Sequence, residues 1–169
     1  MKIRKEIPPD FEAVYKINQL AFGQEGESQL IEKIRKGETF IPELSLVAEQ
    51  DGTVIGHILF SKIKIIGAES YPTLSLAPMS VHPDFQNKGI GSQLVTIGLQ
   101  IAKKLNFGHV IVLGHKNFYP KFGFKNASTW NIRSPFEVPD DHFMAIELVK
   151  GSLENKSGLV EYPPVFYEM

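Results

Sequence analysis

Thr73 to Leu94 reads TLSLAPMSVHPDFQNKGIGSQL. Its first part is apolar and compact, like an interior strand. Apolar residues then recur at Ile90, Leu94, Ile97, Ile101 and Leu105, the spacing of one helix face. Between the two lies a loop with glycines at 89 and 91. A second apolar run, HVIVLG from His109 to Gly114, has the composition of a strand buried on both faces. Strand, loop, helix and strand in this order form a right-handed crossover, which makes the two strands parallel.

Three phosphate-binding templates compete for the loop. A P-loop requires a lysine after its second glycine, and here Ser92 follows Gly91. A dinucleotide fingerprint requires a third glycine, and Leu94 occupies that position with no second strand–helix–strand unit downstream. The pattern Q/R-x-x-G-x-G/A is met at every fixed position by Gln86, Asn87, Lys88, Gly89, Ile90 and Gly91. Glycine permits positive φ and a close ligand approach. The first N–H groups of the following helix lack intrahelical acceptors, and the helix dipole favours an anion there. Gln86 to Ser92 therefore suits a pyrophosphate, with Lys88 adding a screened charge. The plain alternative is a tight turn that happens to use glycine.

Pro78 interrupts the strand before this loop. Proline cannot donate to a ladder, so it implies a bulge or a free edge. A bulged strand can splay from its parallel neighbour and open a cleft at their carboxyl ends. A pyrophosphate on the loop and an amide-bearing arm in the cleft together describe coenzyme A.

The rest of the chain frames this unit. MKIRKEI alternates as a first strand. Asp10 is the expected N-cap of a helix with Phe11, Val14, Ile17 and Leu20 or Ala21 inward. A second helix, ESQLIEKIRKG, turns Leu30, Ile31 and Ile34 inward and stops at Gly37. Asp51-Gly52 between two apolar runs signals a hairpin. NFYPKFGF reads as one helical turn, because Pro120 forbids a long helix. FKNAST and HFMAIELV read as later strands. The tail LVEYPPVFYEM reads as a docked end segment. The expected fold is α/β, with a mixed and mostly antiparallel sheet, one parallel splayed strand pair, and helices on both faces. Residues 1–169 are expected to form a single domain, with 150–169 a C-terminal extension packed on it.

Composition narrows the function. With no cysteine among 169 residues, a disulfide framework, thiolate metal sites and a cysteine nucleophile are excluded. The five histidines show no metal-ligand spacing, so no metal is expected. Eighteen basic against nineteen acidic residues give no field to gather nucleic acid. No apolar run approaches the length of a membrane span or a signal peptide, so a cytoplasmic protein without a membrane partner is expected. In that setting the N-x-S triplets at Asn126 and Asn155 carry no glycan meaning. A free strand edge would allow a homodimer.

SVHPDFQNKGIGSQLV closely resembles the central acetyl-CoA motif of the GNAT superfamily of acyl-CoA-dependent N-acetyltransferases. NFYPKFGF resembles its downstream Y-x-K-x-GF motif. The resemblance covers about Lys2 to Val149, and AFGQEGESQLIEKIRKG, GHILFSKIKI and YPPVFYE suggest a bacterial subgroup of predicted N-acetyltransferases. It implies acetyl-CoA as acyl donor and a small-molecule or peptide amine as acceptor, joined by direct attack in a ternary complex. It also implies that backbone amides of Met79, Ser80 and Val81 hold the pantetheine arm and polarise the thioester carbonyl. Tyr119 matches the general acid that protonates the departing thiolate, or else is one more aromatic beside Phe118, Phe122 and Phe124. Asn117 is a candidate contact to the coenzyme arm, or a turn residue.

The chain departs from the family pattern on the base side. TLSLAPMSV carries no carboxylate, where many relatives use a glutamate. His115, at the end of the next strand, is the candidate base, its reference pKa near ~6.5 suiting that work. Glu27 is a candidate contact to a cationic acceptor, though a helix N-terminus also favours an acid there. His57, among apolar neighbours, reads as a structural histidine. The rival readings are a non-catalytic acyl-CoA-binding sensor or scaffold, and a nucleotide-binding Rossmann protein.

Overall fold

The computed structural model describes residues 1–169. Nine strands and three helices follow one another as β1 (Lys2–Lys5), α1 (Phe11–Phe22), α2 (Gly26–Arg35), β2 (Phe40–Gln50), β3 (Thr53–Ile66), β4 (Ser70–Val81), α3 (Ile90–Lys104), β5 (His109–Leu113), β6 (Lys125–Asn126), β7 (Ile132–Arg133), β8 (Phe143–Glu147) and β9 (Gly158–Glu161). They form one sheet ordered β1-β2-β3-β4-β5-β8-β6. The expected mixed, mostly antiparallel fold is observed. β4 and β5 run parallel, as the crossover through α3 requires. The short strands β7 and β9 also pair in parallel, at the periphery. β9 extends the sheet beside β3 at Lys64–Ile66, beyond the reach of β2. No helix is long and apolar enough to cross a membrane.

Strand alternation sorts the core onto two faces. Ile58, Phe60, Leu74 and Leu76 pack with Leu94, Val95 and Ala102 of α3. Val47 and Leu59 point the other way, to Val14 of α1 and Leu30, Ile31 and Ile34 of α2. A third cluster joins Ile65, Ile111 and Phe143 to Val160 and Tyr162 of the C-terminal segment. The tail is thus docked, and Lys33 of α2 pairs with Glu168 at 3.1 Å.

Several expectations need correction. Asp10 makes no side-chain cap on α1. Its carboxylate accepts from the Ile7 N–H at 2.8 Å and pairs with Arg4 at 2.7 Å, which holds it below the usual carboxylate range. Phe11 and Leu20 are exposed. Phe11 lies under the Arg35 guanidinium, 3.8 Å from its ring centre, and buried Asn18 takes the inward place. On α3 Ile90 and Leu94 are buried and Ile97 and Ile101 pack, partly buried, against the same core as expected, but the fully buried stripe also takes in Val95, Gly98, Leu99 and Ala102, and Leu105 is exposed. The reason is Gly98, whose missing side chain leaves room for Phe60; a Cβ there would lie 2.6 Å from Phe60 Cζ. In FKNAST only Lys125–Asn126 is strand, and Ala127–Trp130 turns into a 3₁₀ helix.

His57 is fully buried in a polar cluster on the α1/α2 side. Its Nε2 lies 3.0 Å from Ser45 Oγ and 3.5 Å from Glu6 Oε2. Glu6 also receives two hydrogen bonds from Arg35, at 3.1 and 2.6 Å. Burial lowers the pKa of His57 to about 4 despite the glutamate, so the ring is neutral near pH 7 and makes no ion pair; Ser45 Oγ, which donates to Glu6 Oε1 at 2.8 Å, links the two side chains.

Candidate active site

β4 and β5 pair only from Leu74 to Leu76, against Val110 to Val112. Beyond Leu76 the strands part. The β3–β4 register explains why: Ile58 opposes Met79 and Phe60 opposes Leu76, so β4 holds one extra residue across Ala77-Pro78. This is the bulge that Pro78 signals in the sequence. It turns the last five residues of β4 away from β5 and opens a cavity of about 1200 Å³.

One limb of the cavity is the glycine loop. Asn87 and Gly89 adopt left-handed backbone, at φ 63° and 80°. The first intrahelical bond of α3 runs from the Gln93 N–H to the Gly89 carbonyl. No backbone carbonyl accepts from the N–H groups between Asn87 and Ser92, which leaves an anion cradle. A Cβ on Gly89 would meet nothing within 4 Å, so this glycine serves the turn and leaves its outer side open. Gly91 serves close packing instead, since a Cβ there would lie 3.3 Å from Met79 Cε. Gln86 ties the loop to the strand end through a 3.0 Å bond from its Nε2 to the Val81 carbonyl.

The expected site residues converge. Met79, Ser80 and Val81 line the cavity along the splayed strand, and Gln86, Asn87, Gly89 and Gly91 line it along the loop. Ile90 and Ser92 complete that limb, although the Ile90 side chain is buried in the core and only its backbone can serve a ligand. Lys88 is the exception: it lies outside the lining, its ammonium 5.4 Å from the centre of the Phe85 ring. His115 and Asn117 are exposed residues at the cavity edge beyond β5. Glu27, in the first turn of α2, lines the far limb.

Tyr119 opens the short 3₁₀ turn Tyr119–Phe122, the single turn expected around Pro120. Its ring is boxed by Phe118 and Phe124 at centroid distances of 5.0 and 5.6 Å. It therefore shares the aromatic cluster and lines the cavity as well. Burial alone raises its pKa to about 12, which keeps the hydroxyl a proton donor at neutral pH. Of the far limb, sequence reasoning reached Glu27 alone. Phe22, Phe136, Tyr162, Phe166 and Met169 line it, drawn from the end of α1, the β7–β8 connection and the C-terminal segment.

A splayed parallel pair, an anion cradle at one end and a buried tyrosine beside the gap define a class of acyl-coenzyme A-dependent transferase. Residues 11–124 match the acetyltransferase (GNAT) family. The chain is 31% identical over 163 residues, 96% of either protein, to the uncharacterized N-acetyltransferase YhbS of Escherichia coli K12. It is 32% identical over 135 residues to YjhQ of the same strain, covering 79% of this chain and 75% of that one. The crystal structure of E. coli YhbS in complex with CoA superposes with a TM-score of 0.91 at 29% identity, covering 98% of this chain and 91% of that one. A GNAT family acetyltransferase from Brucella melitensis, in complex with acetyl-CoA, gives 0.80 at 29% identity, covering 98% and 97%. The chain belongs to the acetyltransferase (GNAT) family, whose members move an acetyl group from acetyl-CoA to an amine.

Proposed function

We propose that acetyl transfer in this chain runs by direct attack of a primary amine on the thioester inside one ternary complex. The observation that carries the reading is the continuity of the cavity, from the free N–H groups of Asn87 to Ser92, along Met79 to Val81, to Tyr119. The N–H groups of the loop take the diphosphate. The free edge of β4 beyond Leu76 takes the amide-bearing arm and points a backbone donor at the thioester carbonyl. Asn117 contacts the arm from the β5 side.

The amine lone pair forms the new C–N bond, and negative charge gathers on the carbonyl oxygen. Collapse breaks the C–S bond, Tyr119 gives its proton to the leaving thiolate, and the second proton shed by the nitrogen as the amide forms returns to the tyrosinate, directly or through water. The buried environment suits this step, because the hydroxyl of Tyr119 stays protonated well above neutral pH. The attacking ammonium first loses its proton to His115, directly or through water. No carboxylate lies on β4 to compete for that role. Soluble cytoplasmic operation as one domain of 169 residues, without a metal, completes the proposal.

Thiol release from acetyl-CoA in the presence of amines tests it. Amine-dependent release that is lost with Tyr119→Phe, while acetyl-CoA still raises the melting temperature, supports the reading. Unchanged kcat in that variant removes the acid role.

A further inference from the structure

The cavity continues past Tyr119 to the α1/α2 side of the sheet, and there its walls change. Leu30, on this limb, belongs to the apolar cluster under α2. Phe136, Tyr162 and Phe166 form a continuous aromatic run, with ring centroids 5.2 and 4.9 Å apart. Phe22 of α1 lines the same limb. Among these apolar surfaces sits one acidic side chain, Glu27. Gln24 Nε2 donates to both its oxygens, at 3.0 and 3.2 Å, and no lysine or arginine pairs with it. Two carboxylate oxygens offer about four acceptor sites, so one amide nitrogen leaves room for an ammonium. The only lysine lining the cavity is Lys121, and its ammonium is taken up 4.3 Å from the centre of the Phe118 ring, beside Tyr119.

These walls select among amines. A free amino acid would bring its carboxylate beside Glu27 with no cation to receive it. An amino sugar would bury hydroxyls against aromatic faces with no partners, which is unfavourable. A flat apolar body on a short chain meets aromatic faces, and a single ammonium meets a single carboxylate.

We infer that the acceptor is an arylalkylamine: a primary amine on a short alkyl chain that carries an aromatic ring, with Glu27 receiving the ammonium and Phe22, Phe136, Tyr162 and Phe166 enclosing the ring. This rests on the acetyl-transfer reading above and names its substrate class. The amine enters as the ammonium and gives up one proton before attack. The C–N bond then forms and the C–S bond breaks, so the products are the N-acetyl arylalkylamine and free coenzyme A thiol. Glu27 acts as the acceptor-binding residue.

The test uses the full chain, acetyl-CoA and matched acceptors. 2-Phenylethylamine and phenylalanine differ only by the carboxylate, while glucosamine and a lysine-containing peptide lack the aromatic body at the amine. The inference predicts kcat/KM for 2-phenylethylamine roughly a hundredfold or more above the other three. Glu27→Gln raises its KM by roughly tenfold and leaves the KM for acetyl-CoA unchanged. Phe22→Ala, at an exposed helix end where folding tolerates it, raises the KM for 2-phenylethylamine more than that for n-butylamine. Equal or faster turnover of phenylalanine, glucosamine or the peptide overturns the inference and leaves acetyl transfer standing. So does an unaltered KM in Glu27→Gln. Absence of turnover with every arylalkylamine while acetyl-CoA still stabilises the protein also overturns it. Absence of both binding and turnover overturns it together with the acetyl-transfer reading.

Discussion

Gly114 lies directly beneath the ring of Tyr119: a Cβ on Gly114 would stand 2.9 Å from Tyr119 Cδ2 and closer still to Cε2. The Gly114 N–H is fixed by a 2.9 Å bond to the His142 carbonyl, so the backbone cannot readily yield. The end of β5 thereby sets the depth at which the tyrosine sits.

Gly114→Ala is expected to push the Tyr119 ring out of its aromatic box. Overpacking of this kind costs about 1–3 kcal/mol of stability. The account predicts a fall in kcat with little change in the KM for acetyl-CoA, because the loop that grips the diphosphate is on another element. Urea unfolding and steady-state kinetics on one preparation check both parts.

Tyr119→Phe keeps the ring and its packing and removes only the proton donor. A general acid contributes typically about 10²–10⁴-fold, so a loss of roughly a hundredfold or more in kcat is expected. An unperturbed tyrosine ionises near ~10. With its pKa raised to about 12 by burial, Tyr119 should impose no fall in kcat as pH rises from 8 to 10. A pH–rate profile of the wild-type protein shows whether that limb is flat.

Gly89→Ala separates the cradle from ordinary turn strain. Gly89 sits at φ 80° and Gly52, in the β2–β3 hairpin, at φ 78°, both with open space where a Cβ would be. Alanine at either position costs roughly 1 kcal/mol of backbone strain. Only at Gly89 does relaxing that strain move N–H groups off the anion. Titration calorimetry should find acetyl-CoA weakened roughly tenfold in Gly89→Ala. The Gly52→Ala protein should bind as the wild type does.

Two buried histidines predict an acid sensitivity. Burial lowers both His57 and His109 from 6.5 to about 4. Thr73 Oγ1 holds His109 Nδ1 at 2.6 Å. Below the unfolded pKa the unfolded chain binds protons that the folded one refuses. Stability is therefore at its full value above about pH 6.5 and falls as pH drops toward about 4, at up to about 1.4 kcal/mol per unit for each histidine. Denaturant midpoints between pH 7 and pH 4 measure the slope. His57→Gln should flatten part of it.

The parts of this architecture that local chemistry dictates were readable in the sequence. Asp51-Gly52 makes its hairpin with both residues at positive φ. Pro78 marks the bulge, and Gln86 to Gly91 with the helix behind them mark the cradle. What resisted reading depends on partners far along the chain. That the inward face of α3 is centred nearer Gly98 than Ile97 goes with Phe60 filling the notch at Gly98, and periodicity cannot see a partner 38 residues away. Asp10 looks like a helix cap until Arg4 claims it. Lys88, in the middle of the glycine loop, reads as a phosphate contact, and its ammonium lies 5.4 Å from the centre of the Phe85 ring, a neighbour the loop pattern does not announce. Apart from Glu27, the limb beyond Tyr119 was illegible for the same reason. Phe22, Phe136 and Tyr162 come from three segments that only the finished sheet brings together.

The central claim is that the free N–H groups from Asn87 to Ser92 hold the diphosphate while the gap beyond Leu76 holds the thiol-bearing arm. A crystal structure of the protein grown with acetyl-CoA measures this directly. The account predicts diphosphate oxygens within hydrogen-bond reach of those N–H groups, the arm between β4 and β5, and the sulfur beside the Tyr119 hydroxyl. A coenzyme bound elsewhere, with the loop untouched and the gap between the two strands empty, would contradict it.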